Sequence, residues 1–198
     1  MIFYDGVNEV SAAYENDDIR IPTNSVNRIV EFNTKRDYTK RLYLFLNASY
    51  IYKMVSYLKK RLRKTTTISS KKELPKKIVK NYRKNIELTS AIAKKYNFKV
   101  FNFFQPVLFI KKTTSSILET KMKDARIYFK DTYLKTYSII KQDSLLNKNP
   151  TFTNISAAFD GYSEPIYSDI CHTGTKGNEI IANEILKKIT PSINSFDN

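Results

Sequence analysis

With 198 residues, 41% hydrophobic and 13% aromatic, the chain is long enough to bury one real core and too short to argue for two. Its single cysteine, Cys171, excludes an internal disulfide and a cysteine-based zinc site, and four Gly with six Pro exclude a low-complexity chain. The formal net charge of +15 favours anionic partners, but lysines far outnumber arginines and no recognised nucleic-acid motif accompanies them.

In chain order, Ile2-Phe3-Tyr4 reads as the end of a buried strand and Asp5-Gly6-Val7-Asn8 as the loop leaving it. A domain rarely opens inside a core strand, so a further strand and its lead-in are expected upstream. Residues 11–39 are mostly polar and read as a long surface loop. Leu42, Phe45, Leu46, Ser49, Tyr50, Met54 and Leu58 recur at helical spacing, followed by a basic run at 59–64 and a Thr/Ser-rich linker at 65–70. A second helix is predicted from near Pro75, with Ile78, Tyr82, Ile86, Ala93 and Tyr96 on its inner face. Residues 98–104 read as a strand, ended by Gln105-Pro106 because proline cannot donate to a central ladder.

Residues 117–145 carry a third helical pattern with Met122, Ala125, Phe129, Leu134 and Tyr137 as candidate core, broken at 147–150. Residues 154–160 read as a turn or strand end. A final amphipathic helix is predicted over 178–189, burying Ile181, Ile185 and Ile189. This order suits an α/β fold with a parallel sheet and chemistry at the strand ends. No basic stretch leads into an apolar run at the start, and the uncharged stretch Leu42–Tyr52 is far short of the roughly 20 residues of a membrane span. The compartment stays open, with the cytoplasm the favoured expectation.

One histidine, His172, is present, and Asp169 stands three residues before it. On a tight turn that carboxylate can face the imidazole, fixing its tautomer and leaving the other nitrogen free as a general base. Ten Asp in 198 residues make an Asp at this offset about a 5% coincidence, so the pair alone is suggestive only. A capping or packed histidine is the plainer reading without further context.

Context comes from the stretch around the pair. Ile-Tyr-Ser-Asp-Ile-Cys-His-Thr-Gly-Thr-Lys-Gly-Asn-Glu-Ile-Ile-Ala, residues 166–182, resembles the last signature block of SGNH/GDSL hydrolases, an Asp-x-x-His followed by Gly-Asn and a helix. The start, residues 2–10, resembles that family's third block, a strand running into Gly-x-Asn-Asp, with Glu9 where Asp is usual. Phe103-Phe104-Gln105-Pro106 is similar to a Phe-Leu-Gln-Pro segment in members with helical insertions, and 154–160 to the stretch before the last block.

The resemblance implies a flavodoxin-like αβα sandwich with a parallel sheet, incomplete at its N-terminus, as a single partial domain over 1–198. A basic helical insertion would occupy 40–97. It further implies a serine ester hydrolase acting through an acyl-enzyme without metal or organic cofactor. His172 would be the base, Asp169 its orienting partner and Asn8 the side-chain donor of the oxyanion hole, although locally Asn8 reads as an ordinary turn residue. Short acyl esters on carbohydrate or lipid are the implied substrates.

The family's nucleophile sits in a Gly-Asp-Ser block, and no such block occurs in the sequence. Gly161-Tyr162-Ser163 is the nearest imitation, in the wrong order, so Ser163 is not expected to serve. The serine is expected from outside the chain, on a complementing N-terminal polypeptide. In the family its strand lies centrally in the sheet. The isolated chain is therefore expected to be marginal or aggregation-prone; a stable, cooperatively melting monomer would count against this. A catalytically inactive fragment is the alternative.

Residues 53–99 hold sixteen Lys or Arg against Glu73 and Glu87, with Tyr52, Tyr57, Tyr82 and Tyr96 interleaved. Docking to an anionic glycan, lipid surface or nucleic acid is one reading, and a solvated outer helical face is the plainer one.

Overall fold

The computed structural model describes residues 1–16, 18–19, 72–113 and 116–193. Strand β1 (Ile2–Asp5) passes through Gly6 into helix α1 (Val7–Asn16). Helix α2 (Leu74–Lys95) precedes strand β2 (Phe101–Phe104), which a 3-10 turn at Leu108–Ile110 follows. Then come α3 (Ile117–Ala125), α4 (Ile127–Gln142), α5 (Ser144–Asn147), strand β3 (Phe152–Asn154) and α6 (Thr175–Ile193). No described helix is long and apolar enough to cross a membrane.

The described strands make one parallel sheet in the order β1-β2-β3, with Asp5 opposite Phe104 and Phe104 opposite Asn154. Parallel neighbours need long crossovers, which the intervening helices supply. Strand β2 is paired along both edges, and its successive side chains point to opposite faces. Phe104 packs among Val10 of α1, Tyr82 of α2 and Tyr137 of α4. Phe103 packs on the other face among Leu108, Phe159 and the α6 residues Ile181 and Ile189. Helices thus cover both faces, and the expected α/β class with a parallel sheet holds.

Several expectations change. Strand β1 is only half buried, with Ile2 48% and Tyr4 39% exposed, because β2 is its one strand neighbour among the described residues. The polar stretch after it is not all loop. Helix α1 begins at Val7 and buries Val7, Val10, Ala12 and Ala13, an apolar face too narrow to stand out against Glu15 and Asn16. The long helix expected over 117–145 breaks at Arg126 and again at Asp143, whose carboxylate accepts the Leu145 and Leu146 amides.

The break resets the helical phase. The inner face of α4 is Phe129, Thr132, Tyr133, Thr136, Tyr137 and Ile140, while Leu134 and Ala125 are exposed and Met122 is half-buried. Tyr96 caps α2 and is exposed, whereas Ile185 of α6 is half-buried. The predicted helix over 42–58, the basic run and the linker lie outside the described residues. Of the expected insertion at 40–97, the part described from residue 72 onward is α2 and its ends. This helix is built into the core, with Ile78, Val79, Tyr82 and Ile86 no more than 2% exposed. Tyr82 Oη donates to Asp5 Oδ1 at 2.9 Å, so it is a core residue and not part of a basic-aromatic surface.

The turn between β1 and α1 is tight enough to demand glycine. Gly6 has φ of 125°, and a Cβ there would stand 2.4 Å from the Phe104 ring. Its amide donates to Glu9 Oε2 at 2.8 Å, which closes the first turn of α1. Gly6→Ala therefore combines backbone strain with overpacking and is expected to cost about 2–5 kcal/mol in urea unfolding. A loss within about 0.5 kcal/mol would show that the ring and backbone relax freely.

Candidate active site

The stretch 166–174 folds back on itself as a short hairpin ahead of α6. Tyr167 and Thr173 form an antiparallel bridge, Ser168 N donates to His172 O at 2.9 Å and Gly174 N to Ile166 O at 3.1 Å. Helix α6 comes close behind because Gly177 has no side chain. A Cβ there would meet Thr173 Cβ at 2.6 Å and Ile166 Cγ2 at 2.7 Å. The hairpin tip is tied to the sheet where Leu108 N, just after β2, donates to Ile170 O at 2.9 Å. This places the tip at the carboxyl edge of the parallel strands, where α/β sheets hold their ligands.

At that tip Asp169 and His172 meet. Asp169 Oδ1 accepts the amides of Cys171 at 2.8 Å and His172 at 2.7 Å, a local turn its short side chain favours. The turn alone would leave Oδ2 idle. Instead Oδ2 lies 2.6 Å from His172 Nδ1. Partial burial pushes the Asp169 carboxyl up, but the bonds from the His172 and Cys171 amides and from the imidazole outweigh it and hold the group at about 2. An ionised carboxylate only accepts, so Nδ1 is the donor in this contact, and in the neutral imidazole that leaves the lone pair on Nε2. The imidazole is 78% exposed, open to whatever approaches.

Asn8 is the second residue of α1, with an exposed side chain. It shares a helical face with Ser11 and Glu15, three and seven residues on. Those two residues line a cavity of about 230 Å³ together with Met122, Phe129, Asp169 and Ile170. The α1 face and the hairpin therefore border one space, although no hydrogen bond joins Asn8 to the Asp169–His172 pair among the described contacts. Glu9 turns the other way, into the strand–helix junction. Burial and the neighbouring Asp5 raise its carboxyl above the usual range, and burial raises Asp5.

Ser163 lies in the exposed stretch at 161–165, ahead of the hairpin. Cys171 Sγ stands 3.6 Å from His172 Nδ1, but burial and the Asp169 charge push its thiol up to about 12, so it stays protonated and is a poor nucleophile. Ligand atoms of Asp169, Cys171 and His172 lie within 4.8 Å of one another. In the structure the first and last of these are joined directly, by the 2.6 Å hydrogen bond between Oδ2 and Nδ1.

Sequence reasoning missed the groups beneath the hairpin. Lys111 and Glu119 are wholly buried and paired at 2.9 Å, and Glu119 accepts the amides of Ile166 and Tyr167. Ser116-x-x-Glu119 has the spacing of a helix cap, and half of that cap forms, with Ser116 Oγ accepting from Glu119 N. The Glu119 carboxylate turns inward instead, which the spacing hides. Comparison with known proteins leaves the site to its own geometry: no protein-family model matches the chain, and no curated protein or solved structure matches it either.

The Asp169 carboxyl has its folded value depressed from the ordinary value of roughly 3.9. Its contribution to the hairpin is therefore present above about pH 4 and lost as pH falls through about 2. Half exposure keeps that contribution small through solvent screening. In an acid NMR titration, the Cys171 and His172 amide resonances are expected to move together with a midpoint near pH 2. A midpoint near about 4 would show that these amides do not hold the carboxylate.

Proposed function

We propose that the chain supplies the Asp–His half of a serine ester hydrolase of the SGNH/GDSL type, within a flavodoxin-like sandwich. The observation that carries this reading is the 2.6 Å contact of Asp169 Oδ2 with His172 Nδ1, with the rest of the imidazole exposed at the carboxyl edge of a parallel sheet. In this reading a serine from a second, complementing polypeptide stands against His172 Nε2. The imidazole takes the hydroxyl proton as Oγ attacks the ester carbonyl, and Asp169 steadies the imidazolium that forms. The Asn8 amide donates to the oxyanion without transferring a proton. The imidazole then returns its proton to the leaving alcohol, and water releases the acyl group by the reverse path.

The cavity beside Asp169 offers Met122, Ala125 and Phe129 to a short acyl group on a carbohydrate or lipid, with Glu15 and Arg126 as its charged lining. Exposed lysines favour an anionic partner for the same molecule. Lys76, Lys77, Lys80 and Lys84 stand on the outer face of α2, and Lys94, Lys95 and Lys99 follow at its end. A basic module that only binds an acidic glycan, lipid or nucleic acid is the second reading, and these lysines are what favours it.

The test combines the chain with a polypeptide that carries a Gly-Asp-Ser block and follows hydrolysis of a short-chain aryl ester. His172→Ala is expected to lower the rate by about 10²–10⁴-fold. Asn8→Ala is expected to lower kcat by about 10²–10³-fold. Binding to anionic vesicles or DNA should be the same in both variants and fall with salt. Hydrolysis that is indifferent to His172 would refute the esterase reading, and salt-dependent binding without hydrolysis would favour the binding module.

A further inference from the structure

We propose that the buried Lys111–Glu119 ion pair is a positioning device for His172, acting by fixing the root of the hairpin that carries it. The catalytic meaning of this rests on the esterase reading above; the geometry does not. Lys111 follows the 3-10 turn after β2, Glu119 stands in the first turn of α3, and both side chains are fully buried. The Lys111 ammonium donates to Glu119 Oε2 at 2.9 Å, to Oε1 at 3.2 Å and to the Glu164 carbonyl at 2.7 Å, which uses all three of its protons. Glu119 Oε1 also accepts Ile166 N at 2.8 Å and Tyr167 N at 3.1 Å. The pair therefore grips the backbone at three positions within the five residues before Asp169.

The same segment of chain holds the other end of the hairpin. Leu108 N donates to Ile170 O at 2.9 Å, and Lys111 reaches Glu164 O from three residues further on. One turn at the end of β2 thus clasps both the tip and the root, and Glu119 closes the grip from α3. A buried ion pair is a poor way to gain stability, since desolvating both charges offsets most of their attraction and apolar residues of like volume often do as well. What apolar residues cannot do is accept backbone amides. A carboxylate held in place by an ammonium does, and it dictates where Tyr167 lies and hence the direction in which Asp169 and His172 leave the bridge.

His172 is the one histidine of the sequence, so its imidazole is a unique reporter that needs no nucleophile and no substrate. With ¹⁵N-labelled histidine in the full chain, the wild type is expected to show the Nδ1–H tautomer bonded to Asp169. Lys111→Met with Glu119→Gln removes both charges but keeps a carbonyl acceptor for the two amides, and should retain that tautomer. Lys111→Met with Glu119→Leu removes the acceptor and should lose the Nδ1–H preference while the melting temperature stays near that of the Gln variant. A Leu variant that melts normally and keeps the wild-type tautomer would overturn the proposal.

Amide exchange in the wild type gives a measure that survives failure of the Leu variant to fold. The Ile166 and Tyr167 amides should exchange at least about tenfold more slowly than the exposed backbone of 161–164. Equal rates would also overturn the proposal. If the tautomer is lost in the Leu variant while no assembly hydrolyses an ester, the positioning role stands and the esterase reading alone fails.

Discussion

The fold turns on strand β2, which has a strand on each edge and side chains that must be covered on each face. Phe103 and Phe104 are 0% and 1% exposed, yet point in opposite directions. Because all described pairings are parallel, each return to the sheet demands a crossover, and the helices α1 to α5 are those crossovers. Everything that leaves the strands at their carboxyl ends then crowds one edge. The Gly6 turn, the Gln105-Pro106 segment and the Asn154 turn all emerge there.

Tyrosine hydroxyls organise that edge. With no tryptophan in the chain, tyrosine and phenylalanine fill the helix–sheet interface. Tyr82 donates to Asp5 Oδ1, Tyr133 to Val7 O and Tyr137 to Gln105 O, each placing a buried ring over the core and its polar tip at a strand end or, for Tyr133, at the start of α1. Burial raises each of these hydroxyls above the usual phenol range, so all three remain donors. The rim on which α1 and the hairpin stand is thus pinned by hydrogen bonds from neutral phenols, while the one wholly buried ion pair among the described residues is kept for the hairpin root.

Much of this was legible locally. The α2 face of Ile78, Tyr82 and Ile86, the end of β2 at Gln105-Pro106 and the body of α6 follow from spacing and from proline's missing amide. The Asp169–His172 contact follows from an i, i+3 offset on a tight turn. The role proposed for Asn8 rests on the family resemblance alone, since no described hydrogen bond joins it to the Asp169–His172 pair. Other features were not legible, because they depend on partners distant in sequence. A helix such as α1, with two alanines and two valines inside, reads as polar until the Phe104 ring and α4 are brought against it. The break at Arg126 and the inward turn of Glu119 likewise have no local signature.

By itself the sequence determined the α/β class, the parallel order of elements, the solitary histidine with its Asp partner and the absence of a Gly-Asp-Ser block. Those are properties of periodicity, of short loops and of which residues exist at all. Only the tertiary structure decided that the buried Lys111–Glu119 pair is hydrogen-bonded to the backbone of residues 164, 166 and 167. It alone decided that Gly6 and Gly177 stand where a side chain cannot fit, and that Cys171 keeps its proton beside the imidazole. Each of these arises from desolvation or close approach, at the ion pair and at Gly6 between segments tens of residues apart, and neither exists until the chain has folded.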